Sequence, residues 1–256
     1  MNLAIQIVNY MSKEFLANCL EDLLRDLSNS ELTWEILVLE NGSGDDLASL
    51  ETKYAEERER IKFIDSDKNL GFGAGHNLLA KNNTADNILV LNPDTQLKQK
   101  DVTEKLYELL NSCSEIGVVG PRLVGPTGKL QVWDHGKYFL GNIGICYYSK
   151  SDKQTSVGWV SGACLMIKRG VFDQIGGFDE RFFLYKEDDD LCVRVAKENL
   201  KVIYEPSIEI IHENQAIAKK SVWMKKSMDL FLDKYRSDIG WPVYFAYKTV
   251  NKLFSY

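Results

Sequence analysis

Four consecutive acidic residues, Glu187 to Asp190, stand between an aromatic cluster and a segment of helical periodicity. Because Leu191, Val195 and Leu200 recur at helical spacing, the acids fall in the first turn of a predicted helix, where carboxylates suit the helix dipole. A solvated helix start gains from one or two carboxylates, however, whereas four in a row repel one another. The aromatic and apolar residues 182–185 indicate buried surface beside the acids, which raises a carboxyl pKa and keeps the group available as a base. The run is therefore a candidate catalytic cluster, with a solvated helix start as the alternative.

Three glycines, Gly71, Gly73 and Gly75, open another predicted helix that continues through Ala80. A dinucleotide-binding loop has the pattern Gly-x-Gly-x-x-Gly directly after the first strand. This loop follows the third predicted strand and has His76 in place of the last glycine, so the sequence does not favour a dehydrogenase. Glycines let backbone amides approach a ligand closely, and a helix N-terminus stabilises a phosphate or a polar sugar edge. A tight turn alone would need only one glycine.

Two further polar residues follow predicted buried strands. Asp94 ends the tripeptide Asn92-Pro93-Asp94 after the strand at 87–91, a position where open α/β sheets bind ligands. A carboxylate there can hold Mg²⁺ or Mn²⁺ together with ligand phosphates, although the tripeptide also suits a plain β-turn. His212 follows the predicted strand at 208–211 and is either a structural hydrogen-bond partner or a second metal ligand near Asp94.

Alternating strands and helices position these residues. Strands are predicted at 3–8, 34–39, 61–64, 87–91, near 118–119, at 157–168, near 202–203 and at 208–211. Helices are predicted at 15–27, 47–60, 72–80, 101–112, just after 168, at 191–200 and at 219–235. Strands alternating with helices at this spacing predict an α/β fold with a mostly parallel sheet of right-handed crossovers.

The bulk properties limit the classes of function. A length of 256 residues fits one large α/β domain with or without a short appendage. A net charge of −6 makes nucleic acid an unfavourable partner, since phosphate binding needs a basic footprint. The five cysteines are widely spaced, which predicts free thiols in a reducing compartment. The sequence shows neither a signal peptide nor an apolar run of the ~20 residues that a membrane span needs, so we expect a cytoplasmic protein.

Two segments depart from this regular pattern. Residues 121–156 contain a predicted hairpin turn at 126–128, and the aromatic, glycine-rich stretch 133–148 is a candidate substrate-covering loop. Residues 214–256 carry eight Lys or Arg against three Asp, a net charge of +5. Their predicted helix has lysines at 219, 220, 225 and 226 beside aromatic residues. It is either docked on the domain or an interfacial helix that contacts an anionic membrane surface.

Eight short motifs occur in order over two hundred residues, and together they resemble a known family. They are Ile7-Val8-Asn9-Tyr10, Glu40-Asn41-Gly42-Ser43, Asn69 through Asn77, Leu91-Asn92-Pro93-Asp94, Val160-Ser161-Gly162-Ala163, Gly177-Phe178-Asp179-Glu180, Glu187 through Leu191, and His212. This set resembles the inverting, nucleotide-sugar-dependent glycosyltransferases of family two, in their bacterial rhamnosyltransferase-like branch.

The resemblance implies a fold and a domain division. The fold would be of the GT-A type, a Rossmann-like, mostly parallel sheet flanked by helices, with a C-terminal helical extension. The transferase domain would span residues 1–213, with a nucleotide-binding half at 1–120 and an acceptor and catalytic half at 121–213. Residues 214–256 would form the basic-aromatic extension.

The resemblance also implies roles for single residues. Asp188 would be the general base with Glu187 beside it, and Asp94 with His212 would bind the Mg²⁺ or Mn²⁺ ion. Glu187 would also lie on the acceptor side, with Trp159 and Gly162. The nucleotide-sugar site would comprise Asn9, Tyr10, Glu40, Asn41, Gly71, Phe72, Gly73, Asn77, Asn92 and Asp94.

Two positions depart from the family pattern. Glu40 stands where the family has an Asp that reads the pyrimidine base, and its side chain is one methylene longer. Asn92 stands where many relatives have a first Asp of the metal motif, which leaves Asp94 as the one strong ligand there. Both departures keep open a non-catalytic glycan-binding or partner subunit that retains the fold.

The expected activity is a single displacement on a nucleoside-diphosphate sugar. The donor would be linked to dTDP or UDP, with rhamnose as the expected sugar, and the acceptor would be a lipid-linked glycan of a bacterial surface polysaccharide. The enzyme would then work at the inner face of the cell membrane. A second alternative, a nucleotidyltransferase-like enzyme, would want a basic, Gly/Arg-rich loop after the first strand, and residues 9–11 are not such a loop.

Overall fold

The computed structural model describes residues 1–131, 134–139, 145–147, 151–213 and 220–253. Side chains are described throughout these ranges except at 137–139, 145–147, 220, 221, 243, 247 and 250–253. Most of the predicted covering loop at 133–148, and Lys219 of the predicted C-terminal helix, therefore lie outside the described residues or side chains.

The strands and helices alternate through the first half of the chain, as their sequence periodicity predicts. The strands are β1 (Leu3–Asn9), β2 (Trp34–Glu40), β3 (Ile61–Asp65), β4 (Asn87–Leu91), β5 (Thr95–Gln96), β6 (Ile116–Val124), β7 (His135–Phe139), β8 (Ile145–Tyr147), β9 (Thr155–Val157), β10 (Trp159–Val160), β11 (Cys164–Lys168) and β12 (Lys201–His212). The helices are α1 (Lys13–Leu27), α2 (Ala48–Lys53), α3 (Phe72–Lys81), α4 (Val102–Asn111), α5 (Arg169–Gln174), α6 (Glu187–Lys197), α7 (Lys220–Lys234), α8 (Arg236–Ile239) and α9 (Trp241–Leu253).

The main sheet has the strand order β3-β2-β1-β4-β11-β6-β12-β5, with β9 paired to β12. Strands β1 to β4 pair in parallel, as do β6 and β12, whereas β11 lies antiparallel between β4 and β6. The predicted mostly parallel α/β sheet is confirmed, with β11 as an antiparallel insertion. Among the described residues, β10, β7 and β8 form a separate small sheet.

Apolar residues on both faces of the sheet build the core, as expected for parallel strands covered by helices on each side. On one face Ile5 and Ile7 pack with Leu20 of α1 and Leu106 of α4. On the other face Ala4 packs with Leu79 of α3. Farther along that face, Val90 and Ile167 join Leu191 and Val195 of α6. The start of α6, where the acidic run lies, is thus held against the sheet.

Three predicted elements differ in the structure. The predicted strand at 157–168 is broken by a turn at 161–163 into β10 and β11. Conversely, the two strands predicted near 202–203 and at 208–211 are one strand, β12, whose register shifts between Glu205 and Glu209. Pro206 lies within this irregularity, which is where a strand interior tolerates proline. The helix predicted at 47–60 reduces to α2 and a short 3₁₀ turn at Ala55–Glu57.

The C-terminal region is more helical than its sequence indicates. The aromatic segment that begins at Trp241 forms α9, a helix of 13 residues with Pro242 in its first turn, where proline is compatible with a helix. Helix α7 buries Phe231 and Leu232 against Phe182 and Val193, so this helix is docked on the domain. In the part of the chain that the structure describes, no helix is long and apolar enough to cross a membrane.

Candidate active site

The predicted site residues meet at one edge of the sheet. Asn9 and Glu40 end the parallel strands β1 and β2, and Asn92 directly follows β4. His212 is the last residue of β12. Because β11 is antiparallel to both β4 and β6, β6 runs in the direction of β4, and β12 is parallel to β6. Residues that are up to two hundred positions apart in the chain therefore share the carboxyl edge, where open α/β sheets bind ligands.

Asp94 and His212 form an acid–imidazole pair at this edge. Asp94 Oδ1 lies 3.4 Å from His212 Nε2, and both side chains are buried. The Asn92 amide nitrogen lies 3.4 Å from the same imidazole nitrogen. Strand β5 pairs with the end of β12, and the Glu213 amide donates to the Asp94 carbonyl at 3.0 Å. The backbone therefore fixes the two side chains beside each other.

This pair fits a divalent cation that is only partly coordinated by protein. A carboxylate oxygen and an imidazole nitrogen are suitable ligands for Mn²⁺ and Mg²⁺. Within the described residues, no group of three or more His, Cys, Asp or Glu side chains is placed to hold a metal ion. The remaining coordination positions would be left to phosphate oxygens and water, which is the usual arrangement for Mg²⁺ with phosphate ligands.

Asp188 lies at the start of α6 with both carboxylate oxygens oriented by backbone amides. The Gly162 amide donates to Oδ2 and the Asp189 amide donates to Oδ1, each at 2.9 Å. Burial, followed by the charge of Asp189, raises the pKa of Asp188 to about 6, although these two hydrogen bonds act in the opposite direction. The carboxylate is ionised at neutral pH but basic enough to accept a proton, which suits a general base.

Glu187 has a different environment from its neighbour. Its side chain is only 5% exposed, and Oε2 has no hydrogen-bond partner. Burial and the charge of Asp188 raise the pKa of Glu187 well above its ordinary value. Two adjacent acids whose pKa values are set apart in this way can serve as a proton acceptor and a hydrogen-bond donor.

The other two acids of the run have structural roles. Asp189 pairs with Lys186 at 3.0 Å. Asp190 is fully buried and accepts hydrogen bonds from Arg194 Nε at 2.8 Å, from the Tyr235 hydroxyl at 2.7 Å and from Lys234 Nζ. The contact between Asp190 and Arg194 spans one turn of α6. The run thus divides into two acids at the site and two that fix the helix.

The turn at 161–163 joins the two parts of the site. The Asn92 amide donates to the Ala163 carbonyl at 2.9 Å, and the preceding residue, Gly162, donates to Asp188. A Cβ atom at Gly162 would lie 3.1 Å from the ring of Phe72 and 3.4 Å from the Asp188 Cβ. The turn therefore links Asp188 to Asn92, which directly follows β4.

The glycines of the α3 loop serve close packing. Gly71 has φ +86°, and a Cβ there would lie 2.5 Å from the Phe183 carbonyl, while one at Gly73 would lie 2.8 Å from the Phe178 Cβ. The Phe72 amide donates to the Phe183 carbonyl at 3.0 Å. The expectation that glycines here let amides approach a ligand is thus incorrect for this amide, because the loop at 178–183 already occupies it.

Two predicted donor-site asparagines fasten this loop. Asn41 accepts from the Leu70 amide at 2.9 Å and donates to the Gly71 carbonyl at 3.3 Å. Asn77 accepts from the Phe178 amide and donates to its carbonyl, at 2.8 and 2.9 Å. Both side chains therefore form hydrogen bonds to the backbone of neighbouring loops of the site.

Asn9 and Glu40 hold the loop that follows β2. Asn9 donates to Asp45 at 2.9 Å and accepts from the Ser12 hydroxyl at 2.9 Å. Glu40 accepts from the Gly42 amide at 3.0 Å and from the Ser43 amide at 2.8 Å, and also from the Ser43 hydroxyl. The extra methylene of Glu40 therefore lets the carboxylate fold back on its own loop. Tyr10 is partly exposed next to Asn9.

Trp159, predicted on the acceptor side, is buried rather than open to a ligand. A Cβ at Gly136 would lie 2.6 Å from its Nε1, and the Lys186 ammonium lies 5.9 Å from its ring centroid. The indole therefore supports the segment that leads into α6. Trp159 thus contributes to the position of α6 from a buried location.

Two residues that contact the site were not predicted. Gln131 hydrogen-bonds to His212, and Asp134 accepts the Ser161 amide through its carbonyl at 2.9 Å. Both follow the turn at 126–128 in a stretch without strand or helix periodicity. No signal in the sequence identifies their partners, because these lie on β12 and in the 161–163 turn.

Comparison with solved structures defines the fold. The chain superposes on the mannosyltransferase PcManGT from Pyrobaculum calidifontis, solved with GDP-Man and Mn²⁺, with a TM-score of 0.67 at 13% identity, covering 95% of this chain and 66% of that one. It superposes on GalNAc-T7, solved with UDP, GalNAc and Mn²⁺, with a TM-score of 0.68 at 11% identity, covering 92% and 49%. The chain thus spans two thirds or less of these proteins. The fold is that of the GT-A glycosyltransferases.

The sequence comparisons give the family. Residues 4–176 match Glycosyl transferase family 2, and the chain belongs to this family. Residues 144–215 also match the N-terminal domain of galactosyltransferase.

Two curated relatives show the same kinship. The chain is 29% identical to the low-salt glycan biosynthesis hexosyltransferase Agl10 of Haloferax volcanii, covering 91% of this chain and 73% of the relative. It is 28% identical to the N-acetylglucosaminyl-diphospho-decaprenol L-rhamnosyltransferase of Mycobacterium tuberculosis, covering 75% and 71%. The predicted family is confirmed, which favours glycosyl transfer over the nucleotidyltransferase alternative.

Proposed function

We propose that the chain is an inverting glycosyltransferase that moves a sugar from a nucleoside diphosphate to a hydroxyl of a glycan acceptor. The observation that carries this proposal is a chain of contacts: the turn at 161–163 hydrogen-bonds to Asp188 and to Asn92, and the Asn92 side chain lies next to His212 of the Asp94–His212 pair. A displacement at a sugar diphosphate requires a base on the acceptor side and a cation site on the diphosphate side.

The reaction is a single displacement in which atoms and charge balance. The acceptor oxygen forms a bond to the anomeric carbon while the bond from that carbon to the diphosphate oxygen breaks. The Asp188 carboxylate takes the acceptor proton, and the nucleoside diphosphate leaves with the bonding electrons. One base and no protein nucleophile give inversion at the anomeric carbon. Glu187, whose buried position favours the protonated form, would donate a hydrogen bond that orients the acceptor.

Asp94 and His212 would hold Mg²⁺ or Mn²⁺ together with the donor diphosphate. When bound, such an ion acts as a Lewis acid that offsets the negative charge developing on the leaving phosphate. The separation of 3.4 Å between Asp94 and His212 supports His212 as the second ligand of this proposal. The side-chain amide nitrogen of Asn92 lies 3.4 Å from the same imidazole nitrogen. Asn92 therefore contributes a neutral polar group beside the pair and no second carboxylate.

The relatives support a choice of donor and acceptor. One of them is named as an L-rhamnosyltransferase that acts on a diphospho-decaprenol-linked sugar. We extend this to a dTDP- or UDP-linked donor, with rhamnose as the first candidate, and to a lipid-linked glycan acceptor in polysaccharide synthesis at the inner face of the membrane. The acidic chain, with its net charge of −6, does not fit nucleic acid.

The residues at positions 40 and 92 keep the non-catalytic alternative open, and a binding assay separates it from the proposed enzyme. We expect a thermal shift with dTDP or UDP that increases when Mn²⁺ is added. Asp94→Ala removes the carboxylate of the pair, so the extra shift caused by Mn²⁺ should disappear while the structure still melts cooperatively. Asp173→Ala, on the exposed surface, is the matched control and should respond as wild type does. A response to nucleotide that Mn²⁺ does not change in the wild-type protein would contradict the metal-assisted mechanism.

The C-terminal helices supply the proposed membrane surface. The apolar side chains predicted for this contact are partly used otherwise, since Phe231 is buried and Trp223 stacks on Phe183 at 4.3 Å. Lys225 and Lys226 of α7 are exposed. On α9, Trp241 and Phe245 are 56% and 57% exposed and stack on each other at 5.5 Å. Lysines beside exposed aromatic rings suit an interfacial helix.

Charge reversal tests the membrane contact. Lys225→Glu combined with Lys226→Glu should lower co-sedimentation with vesicles that contain phosphatidylglycerol, because two attractive charges become repulsive. The loss should be absent with pure phosphatidylcholine vesicles. Lys81→Glu combined with Lys105→Glu changes the net charge equally on α3 and α4 and should leave vesicle binding intact. Equal binding by both double variants would remove the C-terminal helices from this role.

A further inference from the structure

Gln131 makes two hydrogen bonds to one residue, the proposed metal ligand His212. Its amide nitrogen donates to the His212 carbonyl at 2.7 Å, and its amide oxygen lies 2.9 Å from His212 Nδ1. The Gln131 side chain is 5% exposed, and its backbone amide donates to the Leu123 carbonyl at 2.9 Å. The glutamine is therefore fixed by β6 and spans both the backbone and the ring of His212.

This pair of contacts determines where the imidazole proton lies. A backbone carbonyl only accepts, so the group of Gln131 that faces it must be the NH₂ end of the amide. The other end is then the carbonyl oxygen, which also only accepts. The hydrogen bond to Nδ1 consequently requires a proton on Nδ1, and in a neutral ring Nε2 is left with its lone pair. That lone pair is directed to the side where Asp94 Oδ1 lies at 3.4 Å.

We propose that Gln131 is a positioning residue that prepares His212 to bind the divalent ion. Two acceptor atoms, Nε2 and a carboxylate oxygen, are thereby held side by side, an arrangement that a cation stabilises. Partners that hold the far nitrogen of a ligating histidine fix its tautomer and ring orientation and commonly change metal affinity by about 10–100-fold. This inference rests on the metal pair of the proposed function and adds a residue outside the family motifs.

The same segment also connects to the base. The Asp134 amide donates to the Gln131 carbonyl at 3.1 Å, and the Asp134 carbonyl accepts the Ser161 amide at 2.9 Å. Ser161 precedes Gly162, whose amide orients Asp188. The Asp134 carboxylate is itself fixed by the Leu123 amide and the Tyr204 hydroxyl, each at 3.1 Å. Gln131 therefore belongs to a hydrogen-bonded support that reaches both halves of the site.

A structural readout without metal tests the tautomer directly. The chain has three histidines, so long-range ¹H–¹⁵N correlation spectra of the imidazole rings in alkaline buffer can be assigned by single substitutions. We expect His212 in the wild-type protein to be protonated on Nδ1 and not on Nε2. Gln131→Leu removes both hydrogen bonds and should shift His212 toward the Nε2-protonated form that is ordinarily preferred in solution. A wild-type ring protonated on Nε2 would overturn the proposal.

Metal affinity supplies the second readout. Titration of Mn²⁺ in the presence of UDP or dTDP, followed by electron paramagnetic resonance, should show affinity reduced about 10–100-fold in Gln131→Leu. Gln131→Glu keeps an acceptor for Nδ1–H but loses the donor to the His212 carbonyl, so its affinity should lie between those of Gln131→Leu and the wild-type protein. Gln99→Leu is the matched control, because Gln99 also makes two bonds to β12, to the Ser207 carbonyl and the Glu209 amide, without contacting the ring.

The outcomes separate this inference from the proposed function. Unchanged Mn²⁺ affinity in Gln131→Leu, with a normal wild-type affinity, would refute the role of Gln131 alone. A wild-type protein that binds nucleotide but no Mn²⁺ would refute the metal pair itself. If Gln131→Leu does not fold, the protonated nitrogen of His212 in the wild-type protein still decides the matter.

Discussion

Asp188→Asn should lower sugar transfer by about 10²–10⁴-fold, the range that general base catalysis supplies. The Asp188 carboxylate is ionised at neutral pH and is oriented by two backbone amides. The substituted amide cannot take the acceptor proton. We would measure kcat and KM for transfer from a dTDP- or UDP-linked sugar, together with nucleotide affinity by thermal shift. Donor affinity should stay near the wild-type value, since Asp188 is on the acceptor side of the proposed displacement.

The neighbouring Glu187 provides the matched control. Because its buried side chain favours the protonated form, Glu187→Gln keeps a hydrogen-bond donor of similar size at the same place. We expect a much smaller loss of kcat than in Asp188→Asn, with any defect expressed in the KM for the acceptor. Undiminished transfer by Asp188→Asn, with folding and donor binding intact, would assign the base to another residue.

The pH dependence follows from the same carboxylate. Since the pKa of Asp188 is raised to about 6, kcat/KM should fall as the pH decreases through this value and the base becomes protonated. The effect on stability has the opposite sense. A carboxyl whose pKa is raised on folding contributes stability that is present below its unfolded value and is lost as the pH rises through about 6. The charged base is thus held at a cost to the fold at neutral pH.

Asp190→Ala should reduce the free energy of unfolding by about 3–5 kcal/mol, the usual result of removing one partner of a buried ion pair. The substitution leaves the partly buried Arg194 and Lys234 without this carboxylate, and it removes the acceptor of the Tyr235 hydroxyl. Chemical denaturation at neutral pH measures the change.

A surface ion pair gives the comparison for this substitution. Asp173 pairs with Arg169 at 2.8 Å and is largely exposed, so Asp173→Ala should change stability by only about 0–1 kcal/mol. The two aspartates differ in burial and in the number of partners, not in chemical type. A loss of less than about 1 kcal/mol in Asp190→Ala would show that Arg194, Lys234 and Tyr235 find other partners without cost.

The sequence predicts the site where strand ends determine it. Asp94 and His212 each follow a buried strand, and parallel strands bring their carboxyl ends to one edge, so the two side chains meet as expected. Asp188 lies at a helix start, as the periodicity after Leu191 indicates. These positions depend on local patterns and on the family motifs, both of which can be read from one sequence.

The remaining contacts depend on pairings between distant segments. Glu40 turns back on Gly42 and Ser43, and Gly71 packs on Phe183, neither of which a residue pattern specifies. Gln131 lies in a stretch without periodicity, and its partner is eighty-one residues away. The structural role of Asp190 likewise depends on a distant segment, because its partner Lys234 lies on α7 and reaches Asp190 only when α7 is docked.

The docking of α7 determines how far the polypeptide can be shortened for laboratory use. A product that stops after residue 213 would contain every residue of the Asp94, Asp188 and His212 constellation, yet it would lack Lys234 and Tyr235. Asp190, within α6 itself, would then lose the Lys234 and Tyr235 contacts, and Phe182 and Val193 would lose the apolar cover of Phe231 and Leu232. Expression plasmids and protease-trimmed crystallisation samples should therefore retain the polypeptide at least through Ile239.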